Sequence, residues 1–335
     1  MTERLSDPTQ RLGPVIRLAP AKLNLTLAVQ GRRPDGYHSL HSVFVPLGLC
    51  DRLSLSPAAA QRDTLHVTGL PAGPLADNLV SRALAATRTA VGGGWPGGPG
   101  PAPALAARLE KVIPVAAGLA GGSSDAAATL DGALEAWGAE LDADARLATA
   151  ARLGSDVPFF LVGGPALVEG RGEQVAPLHG LHGRPGILLV TPAIPVSTPV
   201  VFDLFDGLGG RGSEATLMSS VHLAEELRSG LSAADLVARA GALTVSNDLL
   251  QATLLLVPAL VPFRRSLGRL LARPVGLSGS GPTLWALYAS EAEATVAADA
   301  VRIAVREGRL SVPGSAAPFI IASTILDASQ HGRQP

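Results

Sequence analysis

A chain of 335 residues, 47% hydrophobic and 16% charged, has the length for two domain-sized cores and the composition of a folded protein. A formal net charge of −1 offers no overall attraction to nucleic acid or to an anionic membrane surface, and neither is expected as a partner. The single cysteine, Cys50, excludes an internal disulfide and a thiolate zinc site, and the polar start Met1–Gln10 lacks a secretory apolar centre, so a cytoplasmic protein is expected.

In chain order, Val15 to Val29 reads as an interrupted strand in which Lys22, Asn24 and Thr26 alternate with Leu23, Leu25 and Leu27, the period of a half-buried strand. Pro34-Asp35-Gly36 marks a turn. Strands are predicted over 39–49, 51–56 and 64–67, and a helix over 79–91 behind the capping pair Asp77-Asn78. The stretch 92–103 is a Gly/Pro-rich surface insertion.

Residues 114–130 carry the strongest local signal. The strand-like run Leu105 to Ile113 gives way to Pro114-Val-Ala-Ala-Gly118-Leu119-Ala120-Gly121-Gly122-Ser123-Ser124-Asp125 and then to a helical pattern. Gly118, Gly121 and Gly122 suit tight turning and close approach of a ligand, with Ser123 and Ser124 at the helix start and Asp125 in its first turn. Main-chain N–H groups converging at a helix N-terminus bind phosphate. A purely structural glycine turn capped by serine is the competing account. The loop is neither a Walker A sequence nor a dinucleotide fingerprint.

A helix at 125–137 and another at 143–153 are predicted next, then a strand at 159–162 after Gly154-Ser155-Asp156-Val157-Pro158. Pro185 to Phe202 is uncharged, but Pro185, Pro192, Pro195 and Pro199 divide it, which favours a buried strand and a proline-rich loop over a membrane span. Helices are predicted over 213–228 and 233–239 and from about 247, with Pro258 and Pro262 as breaks. A second glycine loop, Ser278-Gly279-Ser280-Gly281, lies between strand-like segments. A helix at 291–307 and a strand at 319–325 close an α+β inventory. Of 27 basic residues only Lys22 and Lys111 are lysines; a site that keeps lysine against such a bias suits a compact ammonium, which draws attention to Lys22.

Three segments together, PAKLNLTLAVQGRRPDGYHSLHSVF, PVAAGLAGGSSDAA and VGLSGSGPTLWAL, resemble the three ordered motifs of the GHMP kinases, a superfamily acting on galactose, homoserine, mevalonate and phosphomevalonate. The resemblance runs from about residue 19 to residue 288. It implies a two-domain α+β fold, residues 13–170 binding ATP and residues 171–328 forming the C-terminal domain, with the active site in the cleft between them. It implies ATP-dependent phosphorylation of a small-molecule alcohol with Mg²⁺, and Ser123 or Ser124 as the hydroxyl for phosphate or metal. AKLNL and DGYHSLHSVF are most similar to the branch whose acceptor is a cytidine diphosphate-linked polyol; another small-molecule kinase of the fold, or a non-catalytic ligand sensor, is the alternative.

The resemblance further implies Asp156 as the catalytic carboxylate and Lys22 as its cationic neighbour, although Asp156 read alone is as well explained as a turn cap beside Pro158. It implies phosphate contacts from Pro114, Gly118, Leu119, Ala120, Gly121, Gly122, Ser123 and Ser124, and a nucleotide contact from Asn78. For the acceptor it implies a flat pocket of Tyr37, His38 and Phe202, polar contacts from Asn24 and Thr198, and support from Gly279 and Ser280.

Overall fold

The computed structural model describes residues 14–58, 61–92, 95–96 and 100–327. The start Met1–Gln10 and part of the 92–103 insertion lie outside the described residues; Trp95 of that insertion packs against the first core.

The first sheet opens with β1 (Val15–Asn24), β2 (Ala28–Arg32) and β3 (His38–Pro57). Then come β4 (Thr64–Gly69), α1 (Leu79–Val91), β5 (Leu105–Lys111), α2 (Gly121–Trp137), α3 (Ala143–Leu153), α4 (Val157–Val162), β6 (Ala166–Gly170) and β7 (Gln174–Pro177). The 20-residue β3 is the spine, antiparallel to β1, β2, β5 and β6 along different parts of its length. β4 pairs parallel with β5, and β7 still pairs with β6 in this sheet. The register of β1 slips between Pro20 and Lys22, and such a bulge re-aims the side chains that follow it. Helices α1 to α4 cover one face, where Leu53, Leu55, Leu105 and Leu109 pack with Leu84, Leu130 and Phe159. Asn78 caps α1 as its sequence position predicts, accepting from the Val80 N–H at 2.9 Å.

The remaining chain adds β8 (Leu181–His182), β9 (Gly186–Thr191), α5 (Thr198–Gly207), α6 (Glu214–Ser229), β10 (Leu231–Ser232), α7 (Ala233–Ala238), α8 (Ala240–Leu243), α9 (Leu250–Leu256) and α10 (Leu260–Leu271). It ends in β11 (Gly276–Leu277), β12 (Leu284–Tyr288), α11 (Glu291–Arg306) and β13 (Phe319–Thr324). Strands β11, β12, β9 and β13 form, in that order, a wholly antiparallel sheet. Its period-two alternation places it in the molecule. Ile187, Leu189, Trp285 and Leu287 face Leu23, Val45 and Leu47 of the first sheet, while Leu188, Val190, Leu284 and Ala286 face α10 and α11. A buried apolar layer therefore joins the two sheets.

Two predicted elements differ. Residues 159–162 are helical, because Pro158 occupies the first turn of α4 and Phe159 and Phe160 turn into the core; a four-residue apolar run has no period to separate strand from helix. The proline-rich loop after β9 becomes α5, with Pro199 in its first turn, where the absent N–H of proline costs no hydrogen bond.

A buried charge cluster anchors α2 to the sheet. Lys111, at the end of β5, donates to Asp51 of β3 and to Asp125 of α2 at 2.7 Å. All three side chains are almost fully buried, and Asp51 also accepts from the Val112 and Ile113 N–H groups. Burial pushes the Asp125 carboxyl up to about 7, with Lys111 pulling against it and Asp51 adding to it. Between its ordinary 3.8 and about 7 the folded chain holds a proton that the unfolded chain has released, so stability falls as pH rises through this window. The difference in unfolding free energy, wild type minus Asp125→Asn, is expected to descend from pH ~4 to pH ~7 by at most about 1.4 kcal/mol per unit and to be level above that. Urea titrations across pH measure it; a flat difference curve would show that Asp125 carries no displaced proton.

Candidate active site

The loop before α2 is shaped by alternating left-handed residues. Ala116, Gly118 and Ala120 have φ of 55°, 78° and 53°, and this alternation turns successive N–H groups toward one side. Only Gly118 among the three glycines thus serves as a turn. Gly121 and Gly122 are the first residues of α2, and Gly121 is there for space: a Cβ would sit 2.9 Å from Ile113 and 3.2 Å from the Lys111 Nζ. The helix starts earlier than its serines suggest. Its N-cap is Ala120, whose side chain caps nothing, so Ser123 and Ser124 are not caps and Asp125 lies past the first turn. The start of the helix faces the cavity without a side-chain cap, a geometry suited to an anion. The Ser124 Oγ is buried with no hydrogen-bond partner among the described residues.

Lys22 meets this loop directly. Its backbone N–H donates to the Leu119 carbonyl at 3.0 Å, and its Nζ donates to Asn24 Oδ1 at 2.6 Å, lies 3.8 Å from the Asp156 carboxylate and sits over the Phe44 ring at 4.7 Å. Desolvation pulls the Lys22 ammonium below its ordinary value, while Asp156 holds it up. Asp156 occupies the N-cap position of α4, yet its side chain makes no capping bond. The carboxylate remains about one-third exposed, at 32%, and faces the cavity. The capping explanation of this residue therefore fails.

The other glycine loop closes the site from the opposite side. Ser278 Oγ donates to the Gly118 carbonyl at 2.9 Å, and any Cβ on Gly118 would run into the Ser278 and Gly281 carbonyls. Ser280 Oγ is 2.8 Å from Thr198 Oγ1 at the start of α5.

Two cavities result, of about 400 and 430 Å³. The first is lined by Pro114, the Gly118–Ser123 turn and Asn78. The second is lined by Tyr37, His38, Arg171 and Asp206. They share Leu40, Ser123, Asp156, Thr198 and Phe202, so they meet at the carboxylate. In the second, His38 stacks on Phe202 with ring centroids 4.7 Å apart and 20° between planes, and its Nε2 is 2.7 Å from Asp206. Tyr37 stands at the rim under the Arg171 guanidinium, 5.2 Å away.

Of the residues singled out from sequence, Leu119 and Ser124 do not line the cavity: Leu119 is a core side chain that contributes its carbonyl, and Ser124 lies buried in the helix. Lys22, Asn24 and Thr26 are buried rather than half-buried, because the C-terminal part of the chain covers that face of the strand. Sequence reasoning passed over Asp51, Arg171, Ser42 and Asp206. Lys111 carried the one available signal, as the second lysine retained.

A family model described as GHMP kinases N terminal domain matches residues 78–164. A 4-diphosphocytidyl-2-C-methyl-D-erythritol kinase of Pelotomaculum thermopropionicum is 39% identical, with 82% of this chain and 89% of that protein covered. The chain belongs to this family of GHMP kinases. A second such kinase, of Methylorubrum extorquens, is 40% identical, covering 85% and 94%. A crystal structure of 4-(cytidine 5'-diphospho)-2C-methyl-D-erythritol kinase superposes with a TM-score of 0.66 at 33% identity, covering 92% and 98%. The mevalonate kinase of Methanococcus jannaschii, at 12% identity and a TM-score of 0.67 over 96% of this chain and 100% of that one, shares the fold.

The interlocked loops of this GHMP kinase make one glycine directly testable. Gly279 has φ of 56°, and a Cβ on it would lie 3.2 Å from Asn24 Oδ1 and 3.7 Å from Lys22 Nζ. Gly279→Ala is expected to cost about 1 kcal/mol of stability from the left-handed backbone and a larger share of turnover, as the lysine pair is displaced. Thermal melts beside steady-state rates separate the two; unchanged kcat would show that the pair tolerates the contact.

Proposed function

We propose that this kinase transfers the terminal phosphoryl group of ATP to the 2-hydroxyl of 4-diphosphocytidyl-2-C-methyl-D-erythritol, a step of non-mevalonate isoprenoid precursor synthesis. The observation that carries the reading is the placement of Lys22 and Asp156 where the two cavities meet. The acceptor is a small molecule, and the enzyme is assigned to the cytoplasm; no helix among the described residues is long and apolar enough to cross a membrane.

On this reading residues 13–170 form the nucleotide half and residues 171–328 the rest of the cleft. Backbone N–H groups of Gly118 to Ser123 hold the triphosphate, and Pro114 and Asn78 border the nucleotide. Asp156 takes the proton of the acceptor hydroxyl, and Lys22 beside it stabilises charge on the transferring group. His38 and Phe202 offer aromatic faces for the pyrimidine, Tyr37 closes the rim, and Thr198, Gly279 and Ser280 support the acceptor from the C-terminal side. Asn24 also lines the cavity, and what its bonds to Lys22 and Ser42 leave free, one N–H and one lone pair, is available for a polar contact to the acceptor.

The donor set suits Mg²⁺ carried in on nucleotide phosphates. Ser123 lines the cavity with its hydroxyl-bearing side chain, and no cluster of three His, Cys, Asp or Glu occurs among the described residues. When bound, the ion supplies charge neutralisation on the phosphates. Positioning and electrostatics then carry the acceleration, as phosphoryl transfer requires.

ADP release measured in parallel with the diphosphocytidyl polyol, homoserine, mevalonate and galactose tests the assignment. Strong preference for the first is expected, and preference for any other would overturn the substrate while leaving the fold intact. Asp156→Asn and Lys22→Ala are expected to fold normally and lose roughly 10²- to 10⁴-fold in kcat. Near-wild-type turnover in either would remove that residue from the chemistry.

A further inference from the structure

Lys22 is held from behind by side chains that the transfer itself does not call on. Asn24 is 4% exposed and Ser42 fully buried. Lys22 Nζ donates to Asn24 Oδ1 at 2.6 Å, Asn24 Nδ2 donates to Ser42 Oγ at 3.1 Å, and the Ser42 hydroxyl donates to the Thr26 carbonyl. The protons fix the order of this array. A carbonyl only accepts, so the single proton of Ser42 is spent on Thr26. Ser42 Oγ is then left as an acceptor toward Asn24, and the NH₂ end of the amide must point at it. The amide oxygen thereby faces the ammonium; the reversed amide would set donor against donor at Lys22 and acceptor against acceptor at Ser42.

We propose that Ser42 is a positioning residue of this kinase, which, through the carboxamide of Asn24, fixes the Lys22 ammonium beside Asp156. The inference rests on the reading of Lys22 and Asp156 as the reacting pair. The surroundings leave the ammonium little other choice. Phe44 lies under it, Gly279 packs against it and Asn24 from the opposite loop, and Asp156 is its one ion-pair partner among the described residues. Beyond Ser42 the array continues to α6: Thr26 Oγ1 accepts from the Val43 N–H at 3.1 Å and lies 2.8 Å from Ser220 Oγ, itself 2.9 Å from His41 Nδ1. The orientation of the lysine is thus tied to packing between the two halves of the chain.

With only two lysines in the chain, protein labelled with ¹³C,¹⁵N-lysine reports Lys22 and uses Lys111 as internal control. Ser42→Ala is expected to lose about tenfold in kcat, the worth of one buried hydrogen bond, with both KM values within about twofold. The Lys22 side-chain resonances should move while those of Lys111 stay. Ser42→Thr, which keeps the hydroxyl, should recover kcat to within about threefold. Unchanged kcat in Ser42→Ala overturns the proposal whether or not Lys22 moves, and so does a Ser42→Thr variant as impaired as Ser42→Ala with both lysines displaced. If the wild type fails to phosphorylate the diphosphocytidyl polyol, the substrate reading falls, and unmoved Lys22 resonances in Ser42→Ala would separately overturn the positioning claim.

Discussion

Two consecutive carbonyls, those of Gly118 and Leu119, set the geometry of the site. Leu119 accepts from the backbone of Lys22, and Gly118 accepts from the hydroxyl of Ser278. The glycine loop is thereby held between a strand of the first sheet and a loop beside the second. With its carbonyls facing outward to these partners, the loop turns N–H groups the other way, toward the cavity. Lys22 cannot shift along its strand without pulling on the glycine turn, so the ammonium and the turn form one mechanical unit.

The cost of this arrangement lies in buried charge. Both lysines of the chain are out of water, and each is partnered by carboxylate. Their environments differ in kind. Lys111 sits between two carboxyl groups in a sealed cluster that locks α2 to β3 and β5, where losing the lysine would leave the Asp51 carboxylate buried without its counter-charge and cost several kcal/mol. Lys22 has a single, looser partner at 3.8 Å on the cavity side and a neutral amide behind. It keeps N–H capacity in the direction where a phosphoryl group would lie. One lysine is spent on architecture, and the other is held in readiness.

The outline of this fold was legible in the sequence because its strands alternate and its helices are capped. Asn78 is an example, with side chain and position agreeing. The three motifs also met as the resemblance implied. Failure came where local pattern and tertiary role part company. Val157 to Val162 is too short for a period, and Thr198 to Gly207 begins with a proline that reads equally as loop or first turn. In the glycine loop the left-handed positions at 116 and 120 are alanines; their strain is imposed by the carbonyl partners, which no local rule anticipates. The burial of Asn24, Thr26 and Ser42 depends on α6 and on residue 279, more than 170 residues away along the chain.

That long-range cover bears on how one scaffold serves several acceptors. Mevalonate kinases share the architecture at 12% identity and below, so the fold alone carries no substrate information. In this chain the first cavity is lined by the glycine loop, Asn78 and Leu79, and also by Thr198, Phe202, Leu249, Gly279 and Ser280 from the later half of the chain. The second cavity is lined chiefly by two contributions, the turn carrying Tyr37 and His38 and α5 carrying Phe202 and Asp206, with Ser155 and Arg171 beside them. These lie far apart in sequence and are pinned together by the His38–Phe202 stack and the His38–Asp206 contact. Changing the acceptor would require altering both together, since replacing His38 alone leaves Asp206 with Arg32 at 3.5 Å and uncovers Phe202. The carboxylate at the junction would stay in place, because Asp156 is positioned by α4 and Lys22 rather than by either contribution.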